Sequence, residues 1–485
     1  MFGEDGAHRT MNRRDFARLG CIAAARVTAT KLLPDQMQPE LKLEAGAADF
    51  TLNIAPVVVE LAPGRALSTI GYNGISPGPL LRMREGVAVT VDVVNETDVP
   101  ELVHWHGQLI PSEVDGSEEE GTPVVPPHGR RRYHFVPRPA GTRWYHTHTM
   151  AGADLHRSTY TGQFGFVFIE SKNNPARYDQ EVFLAMRDWE PFFTAEDEDE
   201  QETGLSGPQL EKPSTLDTRP NGLEVGHRIF SINDKSLGAG EPIRVRSGER
   251  VLMHLLNASA TGNRRVALSG HQFHVVELDG NPVPSPHPAD VIEFGPGERV
   301  DAYVEMNRPG IWILGATNDN DRNDGMGILV EYANQRGDAQ WAVLTKARWD
   351  YTVFGRTISR PAPDQTLDLV FDKIPGGPGK FNRWLVNGKQ YPHEGEFVLE
   401  QGARYRLVFR NRTDDAHPVH LHRHLFELVE VNGKATAGII KDTVVVPTYG
   451  RVAVDFLADQ PGLTLFHCHN QLHMDYGFKA LFRYT

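Results

Sequence analysis

The run His467-Cys468-His469-Asn470-Gln471-Leu472-His473, close to the C-terminus, concentrates side chains able to hold a transition metal. A soft thiolate flanked by imidazoles, with another imidazole five residues on, suits such an ion. On a strand, side chains alternate faces, so His467 and His469 share one face and Cys468 takes the other. His473 lies past the strand end, where the chain can fold back beside Cys468. One short peptide can therefore serve two metal sites, joined covalently through the Cys-His backbone.

Three further clusters accompany it: His104-Trp105-His106-Gly107, His146-Thr147-His148 and His417-Pro418-Val419-His420-Leu421-His422. His-X-His recurs among them, the strand spacing that aims both imidazoles the same way. Together the clusters give ten histidines and one cysteine. The set His417, Cys468 and His473 suits a blue-copper electron-transfer site. Zinc also accepts Cys and His, although structural zinc sites are usually closed sets of four ligands. The other eight histidines, with no carboxylate or thiolate among them, can hold three coppers in a pocket between the first and third of the repeated units described next.

The elements that must position these residues repeat three times. Glu85-Gly86, Ser247-Gly248 and Gln401-Gly402 each lead into alternating apolar positions that end at Asn95, Asn257 and Asn411. The Gly-to-Asn spacing is the same in all three, and alternation bounded by Gly and Asn predicts a half-buried strand between turns. A second echo follows: Gly141, Gly310 and Gly462 each stand five residues before the slot filled by His146, Gly315 or His467. Three copies of one all-β unit, sandwich or barrel, are expected. The predicted units run over 49–172, 173–345 and 346–485. Where the outer copies carry histidines, the middle one has Gly315-Ala316-Thr317. It is expected to hold no metal and to serve as a spacer or substrate wall.

At 485 residues, a prior of roughly 150 residues per domain also gives about three domains. Hydrophobic residues make up 40% and charged ones 23%, as in a soluble globular chain. No apolar run is long enough for a membrane helix. The net charge of −13 argues against nucleic acid, which wants a basic face. The cysteines are Cys21 and Cys468. Asn12-Arg13-Arg14-Asp15-Phe16 resembles a twin-arginine export signal, and Ala45-Gly46-Ala47-Ala48 offers small residues for cleavage. Residues 1–48 therefore read as a leader, and the expected location is periplasmic or secreted. The acidic run Glu196–Glu202 reads as a solvated loop, with cation collection as the alternative.

The four histidine motifs, in this order, resemble the multicopper oxidases, enzymes of three cupredoxin-like Greek-key domains that include laccases. The resemblance covers about residues 49–485. It implies type 1 copper at His417, Cys468 and His473, and type 2 copper at His104 and His420. One type 3 copper would take His106, His146 and His469, the other His148, His422 and His467. It further implies four coppers per chain and one-electron oxidation of a small reducing substrate, coupled to reduction of O2 to water. A monomer is expected, because both halves of the cluster lie in one chain.

Departures from the family pattern carry expectations of their own. Phe478, ten residues past Cys468, stands where a weak axial ligand is usual, which should favour Cu(I) and raise the potential. Asp115, eleven residues after His104, matches an aspartate that some relatives use in proton delivery. Met474 occupies the place of a second carboxylate in some relatives, with Asp475 a weak substitute. Arg423-His424 replaces the usual Gly-His, and Arg423 is expected either to brace a carboxylate or line the surface near type 1 copper, or equally to stand as a solvated arginine. A phenol or aromatic-amine donor is favoured over Cu(I) or Fe(II), since the 10 Met residues form no local cluster. A non-catalytic cupredoxin assembly is disfavoured because all eleven ligand positions are filled.

Overall fold

A computed structural model describes residues 46–172, 178–195, 220–342, 348–357, 361–393 and 395–485. The expected leader and the acidic run Glu196–Glu202 lie outside these residues, apart from 46–48. The described chain is mostly strand, arranged as three pairs of larger sheets and one two-stranded sheet, and the three-unit cupredoxin-like all-β fold expected from the repeat is present. In the third unit a six-stranded sheet follows the order Arg383–Val386, Gln365–Ile374, Arg404–Asn411, Arg451–Leu457, Phe426–Val431, Lys434–Lys441. Its partner sheet has five strands and carries the histidine-bearing strands His417–Leu421 and Leu463–Cys468 side by side. The second unit repeats both strand orders, and the first repeats them in shortened four-stranded form.

The strands predicted from Gly-to-Asn spacing are Val89–Asn95, Arg250–Asn257 and Arg404–Asn411. Each closing asparagine is fully buried and does the same work. Its amide donates to carbonyls of the following turn, at 2.7 Å for Asn95 to Val99, 3.0 Å for Asn257 to Gly262 and 2.6 Å for Asn411 to Asp415. Its carbonyl accepts from the backbone N–H two residues on, at Thr97, Ser259 and Thr413. A buried polar backbone must be paired, and asparagine can pair donors and acceptors at once. That requirement explains why this residue recurs.

Antiparallel pairing sets the histidines opposite one another. His104 faces His146 across the first unit, and His420 faces His467 across the third. In the middle unit the matching strands Arg264–Leu268 and Ile311–Ala316 pair Ala267 with Gly315. Aromatic packing fixes these strands: Trp105 is buried against Phe135 and Tyr133, and Phe466 stacks on Phe409 and Phe371.

First and second units meet backbone to backbone at Gly141, whose φ of +113° is open to glycine and strained for other residues. A Cβ there would stand 1.9 Å from the carbonyl oxygen of Gly280. Gly141→Ala should therefore destabilise the chain by about 1–3 kcal/mol, the usual cost of overpacking. Denaturant unfolding checks this, and an unchanged midpoint would contradict the close approach.

Candidate metal centre

Cys468 ends its strand with Sγ 3.7 Å from Nδ1 of His417 and 3.6 Å from Nδ1 of His473. All three are buried and together form a group able to hold a metal ion. The buried asparagine turn of the third unit aims the first of them: Thr413 Oγ1 lies 2.8 Å from His417 Nε2, which leaves Nδ1 toward the sulfur. His473 sits on the short helix Gln471–Asp475, capped by Asn470, whose side chain accepts from the N–H groups of Leu472 and His473. The Trp384 ring lies 3.9 Å from the His473 ring, and Phe478 lies 4.8 Å from that of His417. Burial lowers His417 to about 3 and holds His473 well below the usual histidine range, so both offer neutral lone pairs.

The other eight histidines converge in one buried cluster from the first and third units. His104 stacks on His422 at 4.0 Å, and His106 stacks on His420 at 3.8 Å. Most of these rings have one nitrogen committed. Nδ1 of His146, His420 and His467 meets the backbone carbonyl of Thr147, Asp442 and Cys468 at 2.7, 2.8 and 2.8 Å. A carbonyl only accepts, so Nδ1 carries the proton and Nε2 is a lone pair in the neutral ring. His104 makes the same contact with the Asp115 carbonyl at 2.9 Å. The freed nitrogens, Nε2 of His104, His146 and His420 and Nδ1 of His106, are buried without a partner.

His422 and His467 bring Nε2 to Nε2 at 3.1 Å, although both have their N–H on the other nitrogen. His148 Nε2 adds a third at 3.4 Å from His467. Lone pairs facing one another in a dry site are the signature of an intended cation. Groups able to hold a metal include His104 with His106 and His146, His104 with His420 and His422, and His148 with His422 and His467. The residues fit copper: buried all-imidazole sets, plus one buried set that adds a cysteine sulfur.

Asp115, on the single helical turn Ser112–Asp115, is buried with Oδ2 2.8 Å from His422 Nδ1 and 3.1 Å from His104 Nδ1. Burial would raise its carboxyl, but its interactions with His104 and His422 outweigh that and hold it well below the usual range. Sequence reasoning missed Glu120. Its Oε2 stands 3.3 Å from the same His422 Nδ1, and Oε1 accepts from the Leu465 N–H at 2.8 Å. Burial and the neighbouring Asp115 charge push Glu120 well above the carboxylate range. Two carboxyls whose surroundings push them in opposite directions thus sit side by side against the cluster.

Glu224, from the second unit, was also missed. Its Oε2 lies 3.8 Å from Nε2 of His473, and its Oε1 accepts from Asn382 at 2.5 Å. Burial, then the Asp415 charge, raise it to about 8. No sequence signal pairs it with His473, because the two lie on different units. Arg423 is a correction. Among the described residues it makes no salt bridge, acting on Glu120 only through its charge, and it lines no surface near Cys468. Instead it is buried and donates to the carbonyls of Ile110, Gln460, Pro461 and Leu463, tying a turn of the first unit to the third. Asp475 accepts from the N–H groups of Ala151 and Gly152 at 3.0 and 2.7 Å.

Comparison with known proteins agrees with the geometry. Multicopper oxidase family profiles match residues 53–174, 186–334 and 363–485. The chain is 28% identical over 453 residues to the multicopper oxidase MmcO of Mycobacterium tuberculosis, covering 90% of this chain and 86% of that one. It is 25% identical to Laccase-2 of Fomitopsis schrenkii, covering 90% of each. It is also 25% identical to the iron transport multicopper oxidase FET3 of Candida albicans, covering 85% and 72%. A crystal structure of a multicopper oxidase from Pseudomonas thermotolerans superposes with a TM-score of 0.67 at 24% identity, covering 90% of this chain and all of that one. The chain therefore belongs to the multicopper oxidase family, whose members bind copper.

Proposed function

We propose that this chain is a laccase-like oxidase, taking single electrons from a phenolic or aromatic-amine donor and coupling four of them to reduction of O2 to two waters. In this reading His417, Cys468 and His473 hold type 1 copper, and His104 and His420 hold type 2. His106, His146 and His469 hold one type 3 copper, and His148, His422 and His467 the other, four coppers in all. Copper, when bound, supplies the one-electron steps and the store in which four electrons accumulate. The observation that carries the reading is the placement of Cys468 in one donor set while its neighbours His467 and His469 sit in the other. The covalent link through two residues is the shortest path an electron can take between the sets. The twin-arginine-like motif supports a periplasmic or secreted location.

Each residue outside the donor sets has a defined task. Glu224 beside His473, ionised as pH rises past about 8, then accepts the proton a phenol releases as it gives up its electron. Phe478 keeps the approach to the thiolate set apolar. Water formation consumes four protons, and Glu120 holds one ready beside Asp115 at His422. Glu120 thus fills the role left vacant by Met474. A carboxylate beside His473 also suits a divalent cation, and this favours Fe(II) oxidation as the second reading.

Three outcomes are expected. Above about pH 8, where Glu224 is ionised, Glu224→Gln should lower kcat/KM for phenols by on the order of 10²-fold, with little change below that pH or for an outer-sphere donor that releases no proton. A larger loss for Fe(II) than for phenols would favour the second reading. Phe478→Met should lower the type 1 potential in a redox titration, because a thioether there stabilises Cu(II); an unchanged potential contradicts the apolar role. Below its raised pKa Glu120 keeps its proton, and above it the proton is lost, so oxygen reduction should slow as pH rises through that value. Glu120→Gln should remove this alkaline limb and depress the rate on its acidic side by on the order of 10²-fold. A pH profile unchanged in the variant would contradict the assignment.

A further inference from the structure

The second unit supplies no imidazole to the proposed ligand sets, yet it reaches the eight-histidine cluster. Of the cluster rings with a committed nitrogen, His106 is turned the other way: its Nε2 is held, by Asp442 Oδ1 and Thr443 Oγ1 at 3.1 Å each, and its Nδ1 is the buried orphan. Which nitrogen a ring offers is set by the bond the other one makes. The carboxylate that sets it for His106 is itself gripped by Arg299, from the second-unit strand Arg299–Glu305. Arg299 Nη1 donates to Asp442 Oδ1 at 2.8 Å and Nη2 to Oδ2 at 2.6 Å, a two-pronged ion pair with both residues fully buried. The fork is itself fixed, because Nη1 also donates to the Gly297 carbonyl at 2.8 Å and Nη2 to the Asp279 carbonyl at 3.2 Å.

The turn just before Arg299 touches the cluster directly. Gly297 (φ +88°) lies under the His469 ring so closely that a Cβ would come 2.8 Å from its Cδ2. One turn of the second unit therefore borders His469 and controls His106, two of the three imidazoles assigned above to one copper. Ligand, carboxylate and guanidinium come from the first, third and second units in turn.

We propose that Arg299 is a positioning residue for the copper cluster: by clamping Asp442 it fixes the tautomer and aim of His106, so the middle unit is part of the metal centre's frame. This rests on the reading that the eight histidines hold copper. A two-pronged grip fits guanidinium and not ammonium, because only the planar fork matches both carboxylate oxygens.

The test compares the full chain with Arg299→Lys, which keeps the charge and loses the fork, and with Tyr351→Phe. Tyr351 donates to Glu298 at 2.7 Å in the same buried ionic network, without touching Asp442, and serves as control. In copper titrations Arg299→Lys should lower copper affinity of the eight-histidine cluster by roughly 10–100-fold, as loss of a ligand's orienting partner does. It should also weaken azide binding at the cluster, with the blue colour per chain unchanged. Native cluster affinity and azide binding in Arg299→Lys, or equal losses in Tyr351→Phe, overturn the proposal.

A wild-type chain whose cluster takes no copper would defeat the metal reading alone. The clamp is then decided in metal-free protein by nitrogen NMR of the His106 ring, identified by its loss in His106→Asn. Drift of the proton off Nε2 in Arg299→Lys supports the clamp, and an unchanged tautomer overturns it. If Arg299→Lys does not fold, Asp442→Asn takes its place with the same expected outcomes.

Discussion

Two imidazole nitrogens with lone pairs facing each other at 3.1 Å, in a site closed to water, set the terms for the rest of this molecule. Such an arrangement repels, and leaving the nitrogens unpaired carries the full desolvation penalty of each, about 1–3 kcal/mol per group. The chain accepts that penalty several times over in one cluster, with unpaired nitrogens on His104, His106, His146 and His420. Only a cation at the centre turns these repulsions into bonds. Metal uptake is therefore coupled to folding stability, because an ion that binds the folded state alone stabilises it by mass action.

The protein holds such a site by committing the other nitrogen of most of the rings. Backbone carbonyls do this for His146, His420 and His467, and a threonine from a repeated asparagine turn does it for His417. The strands need no special chemistry for this; antiparallel register alone sets His104 opposite His146 and His420 opposite His467. Carboxyl groups then complete the frame. Asp115 and Glu120 share one face of His422, Asp442 turns His106, and Glu224 stands beside His473 on the thiolate side. The same frame that aims ligands can thus hold protons at both ends of the electron path.

Much of this was legible in the amino-acid order. Asn95, Asn257 and Asn411 mark the three units, because the turn each one closes needs a side chain that both donates and accepts. The histidine clusters declare themselves by strand spacing, and Asp115 lies within the same motif as His104. Other groups were hidden, since nothing local signals their partners. Glu224 and Arg299 belong to the unit without histidines and act across unit boundaries. Glu120 sits in an acidic run that looks like solvated surface until Leu465 and His422 close over it. Arg423 misled for the converse reason: a charged side chain beside a ligand suggests chemistry, whereas here its donors pair with backbone carbonyls at the junction of two units.

The account makes Cys468 the single electron entrance, with His467 and His469 as the connection onward. The most direct measurement is donor-driven O2 uptake by copper-loaded Cys468→Ser, with the bound copper of the eight-histidine cluster confirmed by EPR. The account predicts a colourless protein that keeps the cluster copper and consumes no O2 with any phenolic donor. Turnover near the wild-type rate in that protein would contradict it.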